Sequence, residues 1–414
     1  MTGARYSFFC SVLLGILCIF SSSIYAQDFE QHAKMFLASP ESGGNQNALS
    51  DYIVAFENFD LNLYMSCGTF KVILENGWTG TEKKEMQVLN TMQPVLNEIV
   101  KGNQKPFVRY PPVISAESPV PNFLKYKSLG KCLVLTALYS EHINRPDLAI
   151  EWYKHSLIFA QRTCGEHSTL ISKLISVALA HIALENYQRF LLRSSLTKEQ
   201  YHQISADLQT VLSEMVPLWK FFDTEFRLYE QALQKPGSAM MILMASPNMS
   251  EDKIEHLAKE VESNKDSIVQ QFTELKQKIL TALQQSYPEI LNTDFESVVA
   301  QYHPIFKNML PNYKEAMGRE ATTVTNWNLT ITTVRILAYR KEKGALPATL
   351  DKLSDIALNS PPDPFSTQPF RYSVKGNTAI LYSIGPDLMD NQGQVVYDSK
   401  QGTISPGDIS ITIR

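Results

Sequence analysis

The chain has 414 residues, of which 44% are hydrophobic and 19% charged, and its formal net charge is -4. This is an ordinary globular composition, and the chain is long enough to bury a sizeable core without disulfide staples. The 38 lysines and arginines do not outnumber the 42 acidic residues. No basic excess is therefore present to neutralise phosphates, and the composition gives nucleic-acid binding no support. The length favours two or three domains.

The first 26 residues have the pattern of a secretory signal peptide. Arg5 is the only charge in this segment, residues 6–20 are largely apolar, and Ala26 supplies a small residue at the predicted cleavage site. A membrane span needs roughly 20 apolar residues, so a retained N-terminal anchor is the weaker alternative. No later stretch is long and apolar enough to span a bilayer. We therefore expect an exported protein, periplasmic or secreted, whose mature chain begins near Gln27.

Three cysteines remain after the predicted cleavage, namely Cys67, Cys132 and Cys164. An odd number permits at most one internal disulfide and leaves one thiol free. The sequence thus excludes a disulfide-dense secreted scaffold.

Residues 27–311 have a helical pattern, because apolar residues recur at three- and four-residue spacings. One such run contains Leu89, Met92, Val95, Leu96, Ile99 and Val100. Five prolines interrupt the pattern at residues 103–123 and predict an extended loop, since proline removes a backbone donor and fixes φ. Loops of this length are often functional, and a solvated connector is the alternative that the sequence leaves open.

Residues 125–164 are predicted to form an antiparallel pair of helices. Asn144-Arg-Pro-Asp147 makes the turn, and Asp147 is expected to cap the second helix. Small and aromatic residues alternate in the pair, which resembles one tetratricopeptide unit. Such units need about three copies to be stable, and only one is found. We therefore predict an isolated tetratricopeptide-like hairpin within a multi-helix bundle.

Three further signals follow in the helical region. Thr197-Lys-Glu-Gln200 matches a capping box and predicts a helix start, and Pro217 is expected to kink or divide that helix. Residues 240–245 form a short apolar run that is either a contact surface or buried core. Ser250 is predicted to cap another helix.

The pattern changes near the C-terminus. A helix over residues 321–343 is predicted to end at Gly344, and Pro347 prevents its continuation. Aromatic and β-branched residues then predict three strands at residues 370–374, 378–384 and 408–413, the first two joined by a hairpin turn. We therefore predict a mainly α protein. Its helical domain, residues 27–311, is followed by a small α+β module with an antiparallel sheet, residues 312–414.

The module contains short motifs in a recognisable order: Leu346-Pro-Ala-Thr-Leu350, Asp363-Pro-Phe365, Pro369-Phe-Arg-Tyr372, Leu381-Tyr-Ser-Ile-Gly-Pro-Asp387 and Gly407-Asp-Ile409. Together they resemble the C-terminal half of the major pseudopilin of type II secretion systems. The resemblance implies a helix that turns back on a hairpin, with a turn fixed by Asp363-Pro364. The whole chain is similar to uncharacterised exported bacterial proteins with a helical front half. A pseudopilin places its membrane-embedded helix directly before this module, whereas here residues 27–311 intervene, which argues against polymerisation like a pilin.

The resemblance also implies a calcium site, because the pseudopilin binds calcium in the loop after its hairpin. Carried over to this chain, the ligands are Ser383, Asp387 and Asp408, with Asp390 as a further oxygen donor. Calcium takes six to eight oxygen ligands, which converging carboxylates supply. Leu388 occupies the position where the family has a glycine. The alternative is that the aspartates form Asx-turns in an exposed loop.

Patterns that indicate catalysis are sparse. His181 and Glu185 share a helix face and could begin a metal site, but no third ligand is apparent, which favours a histidine packed at a helix interface. Cys164, Glu166 and His167 contain the elements of a thiol nucleophile and its base. Adjacent helical residues point apart, however, and nothing indicates a lowered thiol pKa.

The sequence thus supports three hypotheses on function. The favoured one is a non-enzymatic envelope protein whose helical region presents a groove to a protein or peptide partner. The second is a pseudopilin-like component of a secretion apparatus. The third is a hydrolase whose site is assembled from residues distant in the chain.

Overall fold

The computed structural model describes residues 23–115, 118–165, 167–235, 237, 250–353, 362–399 and 401–414. The apolar part of the predicted signal peptide and the apolar run at residues 240–245 lie outside the described residues. The cleavage site predicted after Ala26 falls within the first helix.

Sixteen helices lie within the described residues. The first eight are α1 (Ser23–Leu37), α2 (Leu49–Asn58), α3 (Leu61–Met65), α4 (Phe70–Asn76), α5 (Lys83–Asn103), α6 (Phe123–His142), α7 (Pro146–Arg162) and α8 (Leu170–Arg193). The other eight are α9 (Lys198–Ser213), α10 (Trp219–Gln234), α11 (Glu251–Ser263), α12 (Lys265–Leu283), α13 (Tyr287–Asn292), α14 (Phe295–Val299), α15 (Phe306–Met309) and α16 (Tyr313–Lys343). In the described ranges, none of these helices has both the length and the apolar character needed to cross a bilayer.

Three strands form a small sheet near the C-terminus: β1 (Arg371–Lys375), β2 (Thr378–Ser383) and β3 (Ile409–Ile413). Their order is β1-β2-β3 and both pairings are antiparallel. The predicted mainly α fold with a small antiparallel sheet at its C-terminal end is confirmed.

Local signals account for several helix boundaries. Thr197 and Gln200 form the predicted capping box at the start of α9. The helix predicted around Pro217 is divided there, since α9 ends at Ser213 and α10 begins at Trp219. Gly344 ends α16 with a φ of 75°, a left-handed conformation that favours glycine.

The start of α7 differs from the prediction. Arg145 occupies the N-cap position and Pro146 is the first helical residue, so Asp147 lies inside the first turn. There its carboxylate pairs with the Arg145 guanidinium at 2.8 Å and complements the helix dipole. The predicted capping role of Asp147 is therefore wrong, because proline takes the first helical position instead.

Most of the buried apolar side chains form two clusters. The larger cluster joins α1 to α9 with α13, α16 and the sheet, and the smaller one lies among α10 to α16 and the start of α8. The fully buried Trp327 of α16 belongs to the larger cluster, and its indole N–H donates to Leu208 O at 2.9 Å. Because α16 contacts α8, α9, the sheet and α13, it is the central element of the fold.

Charged side chains, two of them buried and one partly buried, connect three helices where the two clusters meet. Lys173 of α8 is 1% exposed, and its Nζ lies 3.3 Å from Glu320 Oε1 of α16. Glu320 accepts the amide of Leu218 at the start of α10, at 2.9 Å. Glu225 of α10 in turn accepts the amide of Leu170, the first residue of α8, at 2.9 Å. We call Lys173, Glu320 and Glu225 the junction network. Two of its carboxylates bind amides at helix N-termini, where the dipole favours negative charge.

The proline-rich segment between α5 and α6 is anchored at its start. The fully buried Asn47 side chain accepts the amide of Arg109 at 2.9 Å and donates to its carbonyl at 2.8 Å. Tyr110 is buried and its hydroxyl donates to Arg162 O at 2.8 Å. Arg162 also donates to Lys105 O at 2.8 Å. These bonds hold the first part of the segment against the helices.

The sheet packs one face on the central helix. Ile409, Ile411 and Ile413 are buried, whereas Ser410 and Thr412 are partly or fully exposed, which is the alternation that the sequence predicts. The turn between β1 and β2 has two residues, and its first, Gly376, has a φ of 62° as a type II′ turn requires.

Candidate functional site

The predicted calcium ligand Ser383 lies at the end of β2, where its hydroxyl is engaged with Asp363. The hydroxyl donates to Asp363 Oδ1 at 2.6 Å. Asp363 is fully buried and also accepts hydrogen bonds from Phe365 N and Ser366 Oγ. Its carboxylate thus ties the Asp-Pro-Phe turn to the sheet. The sequence indicated the turn but not this role, although an aspartate before proline in an apolar surrounding was a signal for it.

The three predicted acidic ligands lie around the loop between β2 and β3, where backbone amides donate to their carboxylates. The donors are Met389 N and Gly407 N for Asp387, Gln392 N for Asp390, and Asn391 N and Gly393 N for Asp408. The bonds to Asp387 and Asp390 from amides two residues ahead are Asx-turns, the arrangement that the alternative interpretation expects.

The electrostatics of the loop centre on Asp408, which is fully buried. Burial raises the pKa of its carboxyl, the charges of Asp390 and Asp387 add to the rise, and the amides of Gly393 and Asn391 oppose it. Within the described part of the chain, however, no three acidic, histidine or cysteine side chains are placed to hold a metal ion. Calcium binding stays a prediction, and a melting temperature unchanged by millimolar calcium would exclude it.

Leu388 has the left-handed backbone conformation that glycine adopts most readily. Its φ is 59°, in the left-handed region. For a residue with a side chain this conformation costs roughly 1–2 kcal/mol. The partly buried side chain packs against the larger apolar cluster, which offsets part of that cost.

Burial shifts the pKa values of two residues that were considered for catalysis, His181 and Cys164. His181 Nε2 lies 4.0 Å from Glu185 Oε2, and burial lowers the pKa of the histidine. Cys164 is 4% exposed and burial raises its pKa, which disfavours a reactive thiolate. Glu166 lies outside the described residues. All three cysteines of the predicted mature chain are free thiols.

A shallow groove lies between α8 and β3. Its first section, with a volume of about 440 Å³, is lined by Glu185, Gln188, Arg189 and Leu192 of α8 and by Ser410, Ile411, Thr412 and Arg414. A second section of about 310 Å³ shares Leu192 and extends to the ends of α8 and α16, with Arg193, Tyr201, Leu337, Arg340 and Lys341 in its lining. The two sections together form the α8–β3 groove.

The groove is held open by separate anchors for its two walls. Gln188 of α8 donates to Thr330 Oγ1 of α16 at 2.7 Å. On the other side, β3 packs on the same helix and Arg340 donates to Arg414 O. Both walls therefore contact α16, which lines the second section of the groove with Leu337, Arg340 and Lys341.

The backbone of β3 presents hydrogen-bonding groups to this groove. Asp408 N donates to Val395 O at 2.7 Å and Tyr397 N donates to Asp408 O at 2.9 Å, on the side of the strand away from β2. In an antiparallel strand successive residues point their amides and carbonyls to opposite sides. Ser410 and Thr412 therefore point theirs away from β2. The β1–β2 hairpin leads to the same assignment. Counted from its closing pair Lys375–Thr378, alternate residues of β2 bond to β1, and the residues between them bond to β3 opposite Ile409, Ile411 and Ile413.

Within the described residues, no hydrogen bond occupies the backbone groups of Ser410 and Thr412 on this outer edge. An exposed row of such groups is a template for pairing with another chain. The sequence predicted β3 itself, but not that its outer edge would stay open, because the facing wall comes from a helix far away in the chain.

Comparison with known proteins gives no match: neither a family model, nor a curated protein sequence, nor a solved structure is similar to this chain.

Proposed function

We propose that the protein is an exported, non-enzymatic binding module that holds a protein partner of the cell envelope in the α8–β3 groove. The observation that carries the proposal is the open edge of β3, where backbone donors and acceptors face a groove instead of a further strand. Such groups can exchange their hydrogen bonds with water for bonds to the backbone of a ligand, which is the physical basis of peptide capture at sheet edges. The signal-peptide pattern of residues 1–26 supports a location in the envelope.

The residues away from the groove support a binding role over a catalytic one. The charged side chains of the junction network all have partners, and the buried Cys164 has a raised pKa. A catalytic site needs titratable groups that are both perturbed and accessible to substrate. The groove instead combines backbone groups, hydroxyls and basic side chains, which suit recognition.

Site-specific photo-crosslinking tests the proposal. A photoreactive residue is placed at Glu185 or at Thr412, on the two walls of the groove, and at Gln270 on α12 as an exposed control. In its native host, we expect discrete crosslinked species from both groove positions that are absent at the control. Identical patterns at all three positions, or no crosslink from the groove, would contradict the proposal.

A further inference from the structure

We infer that the occupant of the α8–β3 groove is a single extended, acidic segment of the partner, which adds to the sheet as a fourth strand beside β3. This inference rests on the proposed function and names the chemistry of the partner. It follows from the backbone of β3, the shape of the groove and the charges in it.

The backbone of β3 matches an incoming strand in register and length. Ser410 and Thr412 present alternate amide and carbonyl groups to the groove, the pattern that a neighbouring strand pairs with. From Ser410 to Arg414 the edge extends for about 13 Å at 3.3 Å per residue. A segment of about five residues therefore pairs along it, and its flanks continue into the second section of the groove.

The wall formed by α8 restricts which partners reach this edge. A strand lies about 4.8 Å from its neighbour, and the edge of another sheet would bring further strands beyond it. Here Arg189 and Leu192 of α8 stand on the far side of the groove. The recess therefore favours one extended segment over the edge of a folded sheet.

The charges of the groove favour an acidic segment. Its basic lining residues are Arg189, Arg193, Arg340, Lys341 and Arg414, whereas Glu185 is its one acidic lining residue. Lys341 is exposed at the rim, where it attracts an approaching anion, whereas the Arg193 guanidinium pairs with Glu141 at 2.6 Å. In an extended peptide alternate side chains point to one side, so acidic residues at every second position meet these groups.

The two edges of the sheet differ in their protection. β1, at the opposite edge, begins and ends with the charges of Arg371 and Lys375, the kind of residue that discourages pairing. β3 has the sequence Ile409-Ser-Ile-Thr-Ile413 and contains neither charge nor proline. Its β-branched residues favour strand pairing, so β3 is the edge that is suited to a ligand.

The test uses a library of random twelve-residue peptides displayed on phage, selected against the full mature chain. Two proline variants probe the edges. Thr412→Pro removes an amide that points into the groove and leaves the β2–β3 ladder intact, because Thr412 does not bond to β2. Val374→Pro is the matched control, since it removes an outward amide from the opposite edge of the same sheet.

We expect selection to enrich sequences with acidic residues at alternate positions. A synthetic peptide of the enriched sequence should bind about tenfold more weakly to Thr412→Pro, because edge hydrogen bonds are lost and the proline ring obstructs pairing. Val374→Pro should bind it with unchanged affinity. Rising salt should weaken binding, since charge attraction contributes.

A charge exchange keeps the test valid if a proline variant fails to fold. Lys341→Glu in the groove and Lys253→Glu on α11 change the net charge equally, and both residues are exposed. We expect Lys341→Glu to weaken binding of the peptide and Lys253→Glu to leave its binding unchanged. Enrichment of basic or apolar sequences, equal binding to Thr412→Pro, or equal effects of the two lysine variants would overturn the inference.

The result is separable from the proposed function. Groove-specific crosslinks without acidic peptide enrichment would reject the extended acidic segment and leave the groove as a binding surface. A dimer in solution that Thr412→Pro dissociates would show that the occupant is a second copy of this chain, which would also overturn the inference.

Discussion

Polar groups gather at two places in this protein, and the two places differ in whether those groups have partners. In the junction network, Lys173 and Glu320 are buried and Glu225 is partly buried, and each contacts an opposite charge or a helix amide. In the α8–β3 groove, the outward groups of Ser410 and Thr412 face solvent.

The difference follows from what burial costs. A charge enclosed in protein is tolerated only when it is paired, whereas exposed groups are satisfied by water and can exchange it for a ligand. We therefore expect the junction network to contribute to stability, and the proposed role of the groove is recognition. Substitutions at the two places should accordingly separate the free energy of unfolding from binding.

The largest effect is expected at Glu320. Glu320→Gln removes the charge that compensates Lys173, and the lysine is left buried without a counter-charge. Breaking a buried pair in this way costs about 3–5 kcal/mol of unfolding free energy. Denaturant titration of the variant and the unaltered protein measures the loss.

The double variant Lys173→Met/Glu320→Gln is the control. It removes both charges, so most of the lost stability should return. Crosslinking from the groove should persist in it. If Glu320→Gln alone lowers the unfolding free energy by less than about 1 kcal/mol, the pair is not needed for stability.

The pH dependence of stability is expected to reveal the next largest effect, at His155. Burial, assisted by the charge of Lys154, lowers the pKa of His155 from its ordinary 6.5 to about 4. The unfolded chain therefore takes up a proton at a higher pH than the folded protein. The contribution is complete above pH 6.5 and is lost as the pH falls to about 4, by about 3 kcal/mol in total.

Comparison with His155→Gln isolates this contribution from the carboxyl groups that titrate in the same range. The unfolding free energy of the variant should decline less between pH 6.5 and 4. Parallel pH profiles for the two proteins would mean that His155 titrates alike in the folded and unfolded states.

The sequence predicts the parts of the fold that local chemistry determines. The capping box at Thr197, the C-cap at Gly344 and the isoleucine alternation of β3 each depend on a few neighbouring residues, and all three are found. The N-terminal part of α16 was missed: the helix begins at Tyr313, whereas the prediction began it at residue 321. The buried positions in the missed part include Gly318 and the charged Glu320 instead of a stripe of large apolar residues, so periodicity does not reveal it.

The sequence could not predict the α8–β3 groove, for a different reason. The groove depends on the relative positions of α8 and β3. Packing of both elements on α16 sets these positions, and no local sequence pattern does. Similarly, the partner of Ser383 is Asp363, which lies on the other side of β1 in the chain. The resemblance of the C-terminal motifs implied the acidic loop as a calcium site, and the Asx-turn alternative anticipated the amides of Met389 and Gln392, but neither indicated the amides that bind Asp408.

A smaller effect is expected at Asp363. It tests whether the buried carboxylate beside the sheet contributes to stability, as the junction network is expected to do. Asp363→Asn places an amide where Ser383 Oγ, Ser366 Oγ and Phe365 N now donate. Loss of acceptors at this fully buried position should cost about 2 kcal/mol of unfolding free energy. Asp390→Asn is the control, because Asp390 is exposed, and its effect should stay below about 0.5 kcal/mol. Equal losses of unfolding free energy in the two variants would show that buried and exposed carboxylates contribute equally to stability here.

The smallest effect on stability is expected at Lys341, and it makes the comparison sharpest. Lys341 is exposed at the rim of the groove, so Lys341→Ala should change the unfolding free energy by less than about 0.5 kcal/mol. Its charge nevertheless attracts an acidic ligand, so the same variant should bind the selected peptide several-fold more weakly at low salt and nearly normally at high salt. Anisotropy titrations at two salt concentrations, alongside denaturant titration, measure both quantities. If Lys341→Ala lowers the unfolding free energy without weakening peptide binding, Lys341 belongs with the junction network. The groove charges would then stabilise the fold instead of binding a ligand.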